Sequence, residues 1–218
     1  MNKPIFWFDF GGVLTPPIKA IIYQYQQKTQ LPANIMLQAV KDTAAEFGYT
    51  GLEPLEIGLI SEQEWGRRVK NRLTQLQPNI DTSKADLEHF GRQWFENIQP
   101  NTPMIDKVRQ LKKAGFTIGL LTNNVREWEA YWRPMINLDD VLDIIVDSCK
   151  VGCRKPDQTI FQIAEQQANT TAQHCILIDD TEENCVAAQK RGWQTIHFID
   201  NDQVLKEISY LTANKCLE

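Results

Sequence analysis

The chain has 218 residues, enough for one large domain or for a domain that carries an insertion. Hydrophobic residues make up 42% and charged residues 23%, an ordinary balance for a globular protein. The formal net charge of -5 argues against a nucleic-acid-binding surface and against anchoring to acidic lipid. The amino-terminal stretch lacks the pattern of a secretion signal, and no segment is long and apolar enough to span a membrane, so we expect no membrane partner.

The cysteines do not form the pattern of a disulfide framework. They are Cys149, Cys153, Cys175, Cys185 and Cys216, which is too few and too unevenly spaced for such a framework. Reduced thiols and a cytoplasmic location are the prediction. Cys149 and Cys153 are close enough for a metal pair, but no second Cys/His pair stands near them in sequence, so zinc is not expected.

The first element is a short apolar and aromatic run that starts at Ile5 and ends in one carboxylate, Asp9. Its length and composition predict a buried strand of a parallel sheet. Gly11 and Gly12 then allow a sharp turn and a close approach of ligand to the backbone. Asp9 is either an acid in the ligand crevice at the carboxyl end of the strand or a cap of the next helix. This stretch alone leaves both readings open.

Residues 18–95 read as helices, because apolar residues recur at helical spacing and no alternating strand pattern appears. Ser61 and Glu64 have the spacing of a capping box, and a further helix is expected from about Ser83. Helices that follow directly after a first strand indicate a separate helical lobe. We assign residues 17–98 to this lobe and residues 1–16 and 99–218 to the core domain.

From about Pro100 helices alternate with strands. The strand candidates are residues 116–121, 142–146, 175–178 and 195–199. Strands that alternate with helices predict a parallel sheet with right-handed crossovers. The predicted fold class is therefore α/β, with a Rossmann-like parallel sheet core and an inserted helical domain.

Polar side chains follow three strands, namely Asp9, Thr122 and the pair Asp179-Asp180. Lys155 lies in the chain between Thr122 and Asp179. The carboxyl ends of parallel strands meet at one edge of a sheet, so these groups can converge. Clustered carboxylates repel unless a cation lies between them, and hard oxygen ligands select Mg²⁺. A lysine and a hydroxyl beside that ion suit a phosphoryl group, and Asp9 is also a candidate nucleophile.

Four segments resemble the motifs of the haloacid dehalogenase-like hydrolases, in their order along the chain. They are Asp9-Phe-Gly-Gly-Val-Leu, Leu120-Leu-Thr-Asn-Asn, Val151-Gly-Cys-Arg-Lys-Pro-Asp and Ile178-Asp-Asp-Thr-Glu-Glu-Asn. The resemblance covers nearly the whole chain and places the helical lobe where the family has its cap. It is strongest to the subgroup that contains sugar-phosphate phosphatases and the N-terminal phosphatase domain of soluble epoxide hydrolases.

The resemblance implies a magnesium site and a nucleophile. Asp9 would attack phosphorus and also bind Mg²⁺, with the backbone carbonyl of Gly11 as a second ligand. Asp180 would bind the metal directly, and Asp179 would act directly or through water.

The resemblance also implies a phosphoryl-binding set. Thr122 and Lys155 would hold the phosphoryl oxygens, with Asn123 beside them. Gly12 would join Gly11 in the substrate-binding turn. Asn184 would orient the acidic loop from the first turn of its helix.

The sequence departs from the family pattern at Gly11. Most family phosphatases have an aspartate two residues after the nucleophile, which protonates the leaving oxygen and then activates water. Glycine does neither. The hypothesis is a small phosphorylated substrate whose leaving group needs little protonation, such as an anomeric sugar phosphate or an acyl phosphate.

Three other functions remain as alternatives to a Mg²⁺-dependent phosphatase. They are a non-enzymatic protein that kept the pocket, a phosphotransferase, and, less favoured, a 2-haloacid dehalogenase. Dehalogenation uses the first aspartate without a metal, and Asp179 and Asp180 would then repel a carboxylate substrate. Oligomeric state is not predicted.

Overall fold

The computed structural model describes residues 3–215, so Cys216 lies outside the described part of the chain. Five parallel strands form one sheet in the order β3-β2-β1-β4-β5. The strands are β1 (Ile5–Phe8), β2 (Thr117–Thr122), β3 (Ile144–Asp147), β4 (Cys175–Asp179) and β5 (Gln194–His197). Each predicted strand is present within two residues of its expected bounds, and the predicted α/β parallel sheet is confirmed.

Eleven α-helices accompany the sheet in the described residues. Those between β1 and β2 are α1 (Ile18–Thr29), α2 (Ala33–Ala45), α3 (Glu53–Glu56), α4 (Glu62–Leu76), α5 (Phe90–Phe95) and α6 (Thr102–Lys113). The later ones are α7 (Glu129–Ile136), α8 (Ser148–Val151), α9 (Gln158–Gln167), α10 (Glu182–Arg191) and α11 (Asn201–Lys215). None of these helices has both the length and the apolar composition that a membrane span requires.

The helix predicted from about Ser83 begins later than expected. A 3₁₀ turn covers Leu87–His89, and α5 starts at Phe90. The Asp81 side chain accepts a hydrogen bond from the Ser83 backbone N–H at 2.9 Å. This local bond gives the backbone an alternative to the helical ladder, which explains the later start.

Strand β1 lies at the centre of the sheet and is buried on both faces. Phe6 and Phe8 belong to one apolar cluster, and Ile5 and Trp7 belong to the cluster on the opposite face. A strand covered on both faces has no solvent side, which is why its sequence is continuously apolar rather than alternating.

The strand order creates the crevice that receives the polar residues. After β1 the chain adds β2 and β3 on one side, then returns to add β4 and β5 on the other. Phe8 is in register with Leu120 of β2 and Ile178 of β4. Asp9 therefore follows β1 at the point where the strand order reverses, which is where ligands bind in open α/β sheets.

The helices inserted after β1 are held to the core by a buried carboxylate. Glu62, in the first turn of α4, accepts hydrogen bonds at 2.6 Å from the Gly91 backbone N–H and from Trp128 Nε1. Ser61 caps the same helix by accepting from the Glu64 N–H at 3.3 Å, as the capping-box pattern predicts. Burial raises the pKa of Glu62, against the lowering effect of these donors.

Close packing between β1 and β2 gives a stability test at Gly119. A Cβ at this position would lie 2.2 Å from Cε3 of Trp7, which is fully buried. Gly119→Ala is therefore expected to lower the free energy of unfolding by about 1–3 kcal/mol, as overpacking does. Urea denaturation measures the loss. In a Trp7→Leu background the same substitution should cost less, whereas equal costs in both backgrounds would contradict the packing argument.

Candidate active site

Three carboxylates meet at the carboxyl end of the sheet. Asp9 follows β1, and its backbone N–H donates to the Ile178 carbonyl at 2.9 Å, which continues the pairing with β4 beyond the strand. One oxygen from each of Asp9, Asp179 and Asp180 lies within 4.8 Å of the other two. The structure thus brings together residues about 170 positions apart in sequence, as strand ends in a parallel sheet require.

A buried lysine joins two of these carboxylates. Lys155 Nζ lies 2.9 Å from Asp9 Oδ1 and 2.6 Å from Asp179 Oδ2, and the lysine is 1% exposed. Burial disfavours its ammonium, but the charges of Asp179 and Asp9 outweigh that effect and raise the pKa of Lys155 to about 12. Lys155 is therefore a permanent positive charge inside the site.

The backbone of Lys155 is fixed by an amide side chain. Asn123 Oδ1 accepts from the Lys155 N–H at 2.8 Å, and Asn123 Nδ2 donates to the Lys155 carbonyl at 2.9 Å. This pair of bonds ties the loop after β2 to the loop before α9. The ammonium is thereby directed at Asp9 by a residue predicted only to stand beside the phosphoryl group.

The surroundings of Asp9 raise the pKa of its carboxyl well above the usual value. Burial raises its pKa most strongly, Lys155 lowers it, and the charges of Asp179 and Asp180 raise it again, so that the pKa reaches about 7. An acid with this pKa is poorly stabilised as an anion in the free protein. A cation beside it would favour the ionised form.

The two acids of the β4 loop are not equivalent. Asp179 is fully buried, and its oxygens accept from the Thr181 N–H at 2.9 Å, from Asn184 Nδ2 at 3.0 and 3.2 Å, and from Lys155. Asp180 is half-buried and accepts only a long 3.5 Å bond from the Thr181 hydroxyl among the described residues. Asp180 therefore has free lone pairs for a cation, whereas those of Asp179 are used.

Gly12 brings the first turn against the acidic loop. It has a φ of +74°, and a Cβ there would lie 2.2 Å from Asp180 Oδ2. Only glycine permits both this backbone conformation and this approach. Gly12 thus shapes the site rather than offering a side chain to it.

The site has the donor set and the charge that a magnesium ion needs. All three acids offer hard oxygen atoms, and three carboxylates with one ammonium carry a net charge of two negative when ionised. A divalent cation would neutralise that charge. The residues predicted to bind metal therefore fit the ion.

Thr122 ends β2, the strand beside β1. It is 1% exposed, and its hydroxyl has no hydrogen-bond partner among the described residues. A buried unpartnered hydroxyl costs free energy unless a ligand completes it. Of the predicted substrate-binding residues, Gly11, Asn123 and Lys155 line one cavity together with Asp9, whereas Gly12 and Thr122 are not among its lining residues.

Two contributors to the site were missed by sequence reasoning. His197, which the sequence motifs do not include, ends β5 in register with Asp179, and its Nε2 lies 3.1 Å from the Asp180 carbonyl. Its position at a strand end was the available signal. Arg154 lies 2.7 Å from Glu56 of α3 through its Nε, and this pair forms part of the cavity wall.

The carboxylates open into a cavity of about 580 Å³ between the sheet edge and the inserted helices. Trp65, Trp94 and Trp128 line it, whereas Trp132 is buried in the core. Arg67 and Arg68 are paired with Glu64 and do not line the cavity, so they lie on the solvated face of α4. The lining of the cavity is mostly apolar, and no sequence motif predicted this property.

The comparisons with known proteins agree with this geometry. The family described as haloacid dehalogenase-like hydrolase matches residues 4–192. The bifunctional epoxide hydrolase 2 of Rattus norvegicus is 24% identical over 95% of this chain, which spans 38% of that protein's length. The sesquiterpene phosphatase astK of Aspergillus oryzae is 26% identical over 71% of the chain and 82% of its own length.

A solved structure shares the fold. It is a haloacid dehalogenase family enzyme from Bacteroides thetaiotaomicron in complex with magnesium and inorganic phosphate. It has a TM-score of 0.63 and 19% sequence identity, and the match covers 89% of this chain and 93% of that one. At this identity the likeness shows the fold alone.

The raised pKa of Asp9 predicts how stability depends on pH without metal. Between about pH 4 and pH 7 the unfolded chain ionises at this group before the folded one does. The folded state then binds more protons, so the Asp9 contribution to the free energy of unfolding falls as pH rises through this range. Urea denaturation in EDTA measures it as the difference between the parent and Asp9→Asn.

Other buried acids, such as Asp147, shift in the same direction, and the difference between the two proteins removes their effect. Added Mg²⁺ should reduce the fall in the free energy of unfolding with rising pH in the parent protein but not in Asp9→Asn. If the free energy of unfolding depended on pH in the same way in both proteins, the assignment of this dependence to Asp9 would be contradicted.

Proposed function

The chain belongs to the haloacid dehalogenase-like hydrolases, and on that premise we propose that it is a Mg²⁺-dependent phosphatase acting through an aspartyl-phosphate on Asp9. The observation that carries the proposal is the cluster of three carboxylates, two of which are paired with one buried lysine. A structural ion pair needs one carboxylate for one ammonium. The surplus of negative charge at a strand-end crevice is instead suited to a cation and a phosphoryl group.

Asp9 and Asp180 would bind the magnesium ion directly, together with the backbone carbonyl of Gly11. Asp179 would act through water, since Lys155, Asn184 and the Thr181 N–H already occupy its oxygens. The ion, when bound, supplies charge neutralisation for the phosphoryl oxygens.

In the proposed first step, an Asp9 oxygen forms a bond to phosphorus, and the bond between phosphorus and the leaving oxygen breaks. Lys155 and the Thr122 hydroxyl hold the phosphoryl oxygens. In the second step, water attacks phosphorus and breaks the bond to Asp9, and a proton of that water passes to a phosphoryl oxygen. Asp9 is regenerated and inorganic phosphate leaves.

The missing acid restricts the leaving group. A Cβ at Gly11 would meet the Ile18 Cδ1 atom at 3.2 Å, so an apolar side chain borders the place of the usual aspartate. With no acid at this position, the leaving oxygen departs most readily when it is a weak base. Acyl phosphates and anomeric sugar phosphates meet that condition.

The cluster favours phosphatase over dehalogenase activity. A carboxylate substrate would face three acids and a single lysine, whereas a phosphate ester arrives with a divalent cation as its partner. The phosphatase name of the Aspergillus relative agrees with this choice.

We propose the domain organisation together with the activity. Residues 1–16 and 99–218 form the core that carries the chemistry, and residues 17–98 form the cap. Residues 17–98, including helices α1, α2, α4 and α5, supply most of the cavity wall and would select a small phosphorylated substrate. Hydrolysis within a covered cavity also limits access of bulk water to the reacting groups.

Release of inorganic phosphate tests the activity directly. The parent protein is expected to hydrolyse p-nitrophenyl phosphate or acetyl phosphate with Mg²⁺ and to stop when EDTA is added. Asp9→Asn removes the nucleophile and is expected to show only the background rate. No release by the parent on either compound would support a non-enzymatic protein instead.

The role of Gly11 predicts a substrate-dependent gain. Gly11→Asp restores an acid, so kcat/KM on glycerol phosphate should rise by on the order of a hundredfold, within the range of general acid catalysis. On acetyl phosphate, whose leaving carboxylate needs no proton, kcat/KM should change little. Gly11→Asn is the matched control, because it has the same size and meets Ile18 equally but transfers no proton. Equal gains on the two substrates would contradict the leaving-group argument.

A further inference from the structure

We propose that the substrate is a phosphorylated compound with an apolar chain, and that this chain extends from the carboxylate cluster into the cavity. The inference rests on the proposed phosphatase activity, and it adds the chemical class of the organic part. It is carried by the composition of the cavity wall and by the exposed apolar side chains that border the cavity.

The wall between the cap helices is built from aliphatic and aromatic side chains. They include Ile21 and Tyr25 of α1, Met36 and Val40 of α2, Val69 of α4, and Phe90 and Trp94 of α5. Phe90 also stacks on Trp128 with ring centroids 5.7 Å apart. Such a surface gains free energy by taking apolar chain out of water, in proportion to the area covered.

Two charged groups in this wall, Glu62 and Glu56, already have partners, whereas the buried Tyr25 hydroxyl and Asn124 Nδ2 have none among the described residues. Glu62 accepts from the Gly91 N–H and Trp128 Nε1, and Glu56 is paired with Arg154 at 2.7 Å. A sugar would bring several hydroxyl groups that need hydrogen bonds, and a buried hydroxyl without a partner costs free energy. An apolar chain brings no such requirement.

The cavity also has exposed apolar side chains on its border. Ile18, Ile22 and Leu37 line it and are 37%, 42% and 55% exposed. They belong to the neighbouring helices α1 and α2. Exposed apolar groups concentrated at one opening mark a binding groove rather than a solvated surface.

The size of the cavity fits a chain and exceeds what phosphate needs. Its volume of about 580 Å³ lies in the range of roughly 300–1,000 Å³ that is usual for ligand pockets. The polar residues Asp9, Asn123, Lys155 and Asp180 lie among its lining together with this apolar wall. A substrate with a charged head and an apolar body matches both parts.

Binding of alkylphosphonates tests the inference without any turnover. Isothermal titration calorimetry in the presence of Mg²⁺ compares methyl-, butyl-, octyl- and decylphosphonate below their micelle-forming concentrations. The dissociation constant is expected to fall about three- to fourfold for each added methylene until the cavity is filled, with an increasingly negative heat-capacity change. A dissociation constant independent of chain length would overturn the inference, whether or not the protein releases phosphate.

Two neighbouring residues on α1 provide a matched pair of variants. Ile22 lines the cavity, whereas Tyr23 is exposed and does not. In Ile22→Asp, the preference for decylphosphonate over methylphosphonate should fall at least tenfold, and Tyr23→Asp should keep the parent preference. Retained methylphosphonate binding shows that a variant is folded. An unchanged preference in Ile22→Asp would overturn the placement of the chain.

Turnover separates the inference from the activity on which it rests. Hydrolysis of acetyl phosphate with no gain in kcat/KM for longer acyl phosphates would leave the phosphatase standing and reject the apolar chain. Length-dependent phosphonate binding without hydrolysis of any acyl phosphate would support the apolar chain and count against the phosphatase activity.

Discussion

The contact on which the site depends is the buried ion pairing of Lys155 with Asp9 and Asp179. An isolated ammonium at this depth would be costly, and so would either carboxylate. Together they are tolerated, but Asp180 adds a negative charge that this lysine does not offset. The free protein is thus left with excess negative charge at one point, and relief of that charge by a cation is the physical basis of the proposed chemistry.

The residues around this contact are held in place by three side chains from neighbouring parts of the fold. Asn123 ties the Lys155 loop to the end of β2, Asn184 holds Asp179 from the first turn of α10, and His197 lies against the carbonyl of Asp180. Each of these groups comes from the carboxyl end of a strand or the segment after it. A parallel sheet whose order reverses beside β1 is therefore what allows groups so distant in sequence to meet.

The sheet and the motif residues could be predicted because their signals are local. Continuous apolar runs specify strands buried on two faces, and polar residues directly after such runs specify the reactive edge. The late start of α5 was missed because the local bond between the Asp81 side chain and the Ser83 N–H competes with the helical spacing there. The role of His197 was not predictable, since it depends on the contact of its ring with the Asp180 carbonyl of another segment. The cavity was hidden for the same reason, because periodicity shows that a helix has an apolar face but not whether that face meets another helix or a ligand.

The two departures from expectation, Gly11 and the apolar cavity, have a common physical consequence. Ile18 borders both, since it lies 3.2 Å from the position of a Gly11 Cβ and lines the opening between the inserted helices. An acid at position 11 would have to fit against this apolar side chain. A leaving group that departs without a proton removes the need for that acid and lets the apolar wall extend to the reacting centre. The loss of a catalytic side chain and the gain of an apolar binding surface are therefore compatible parts of one arrangement.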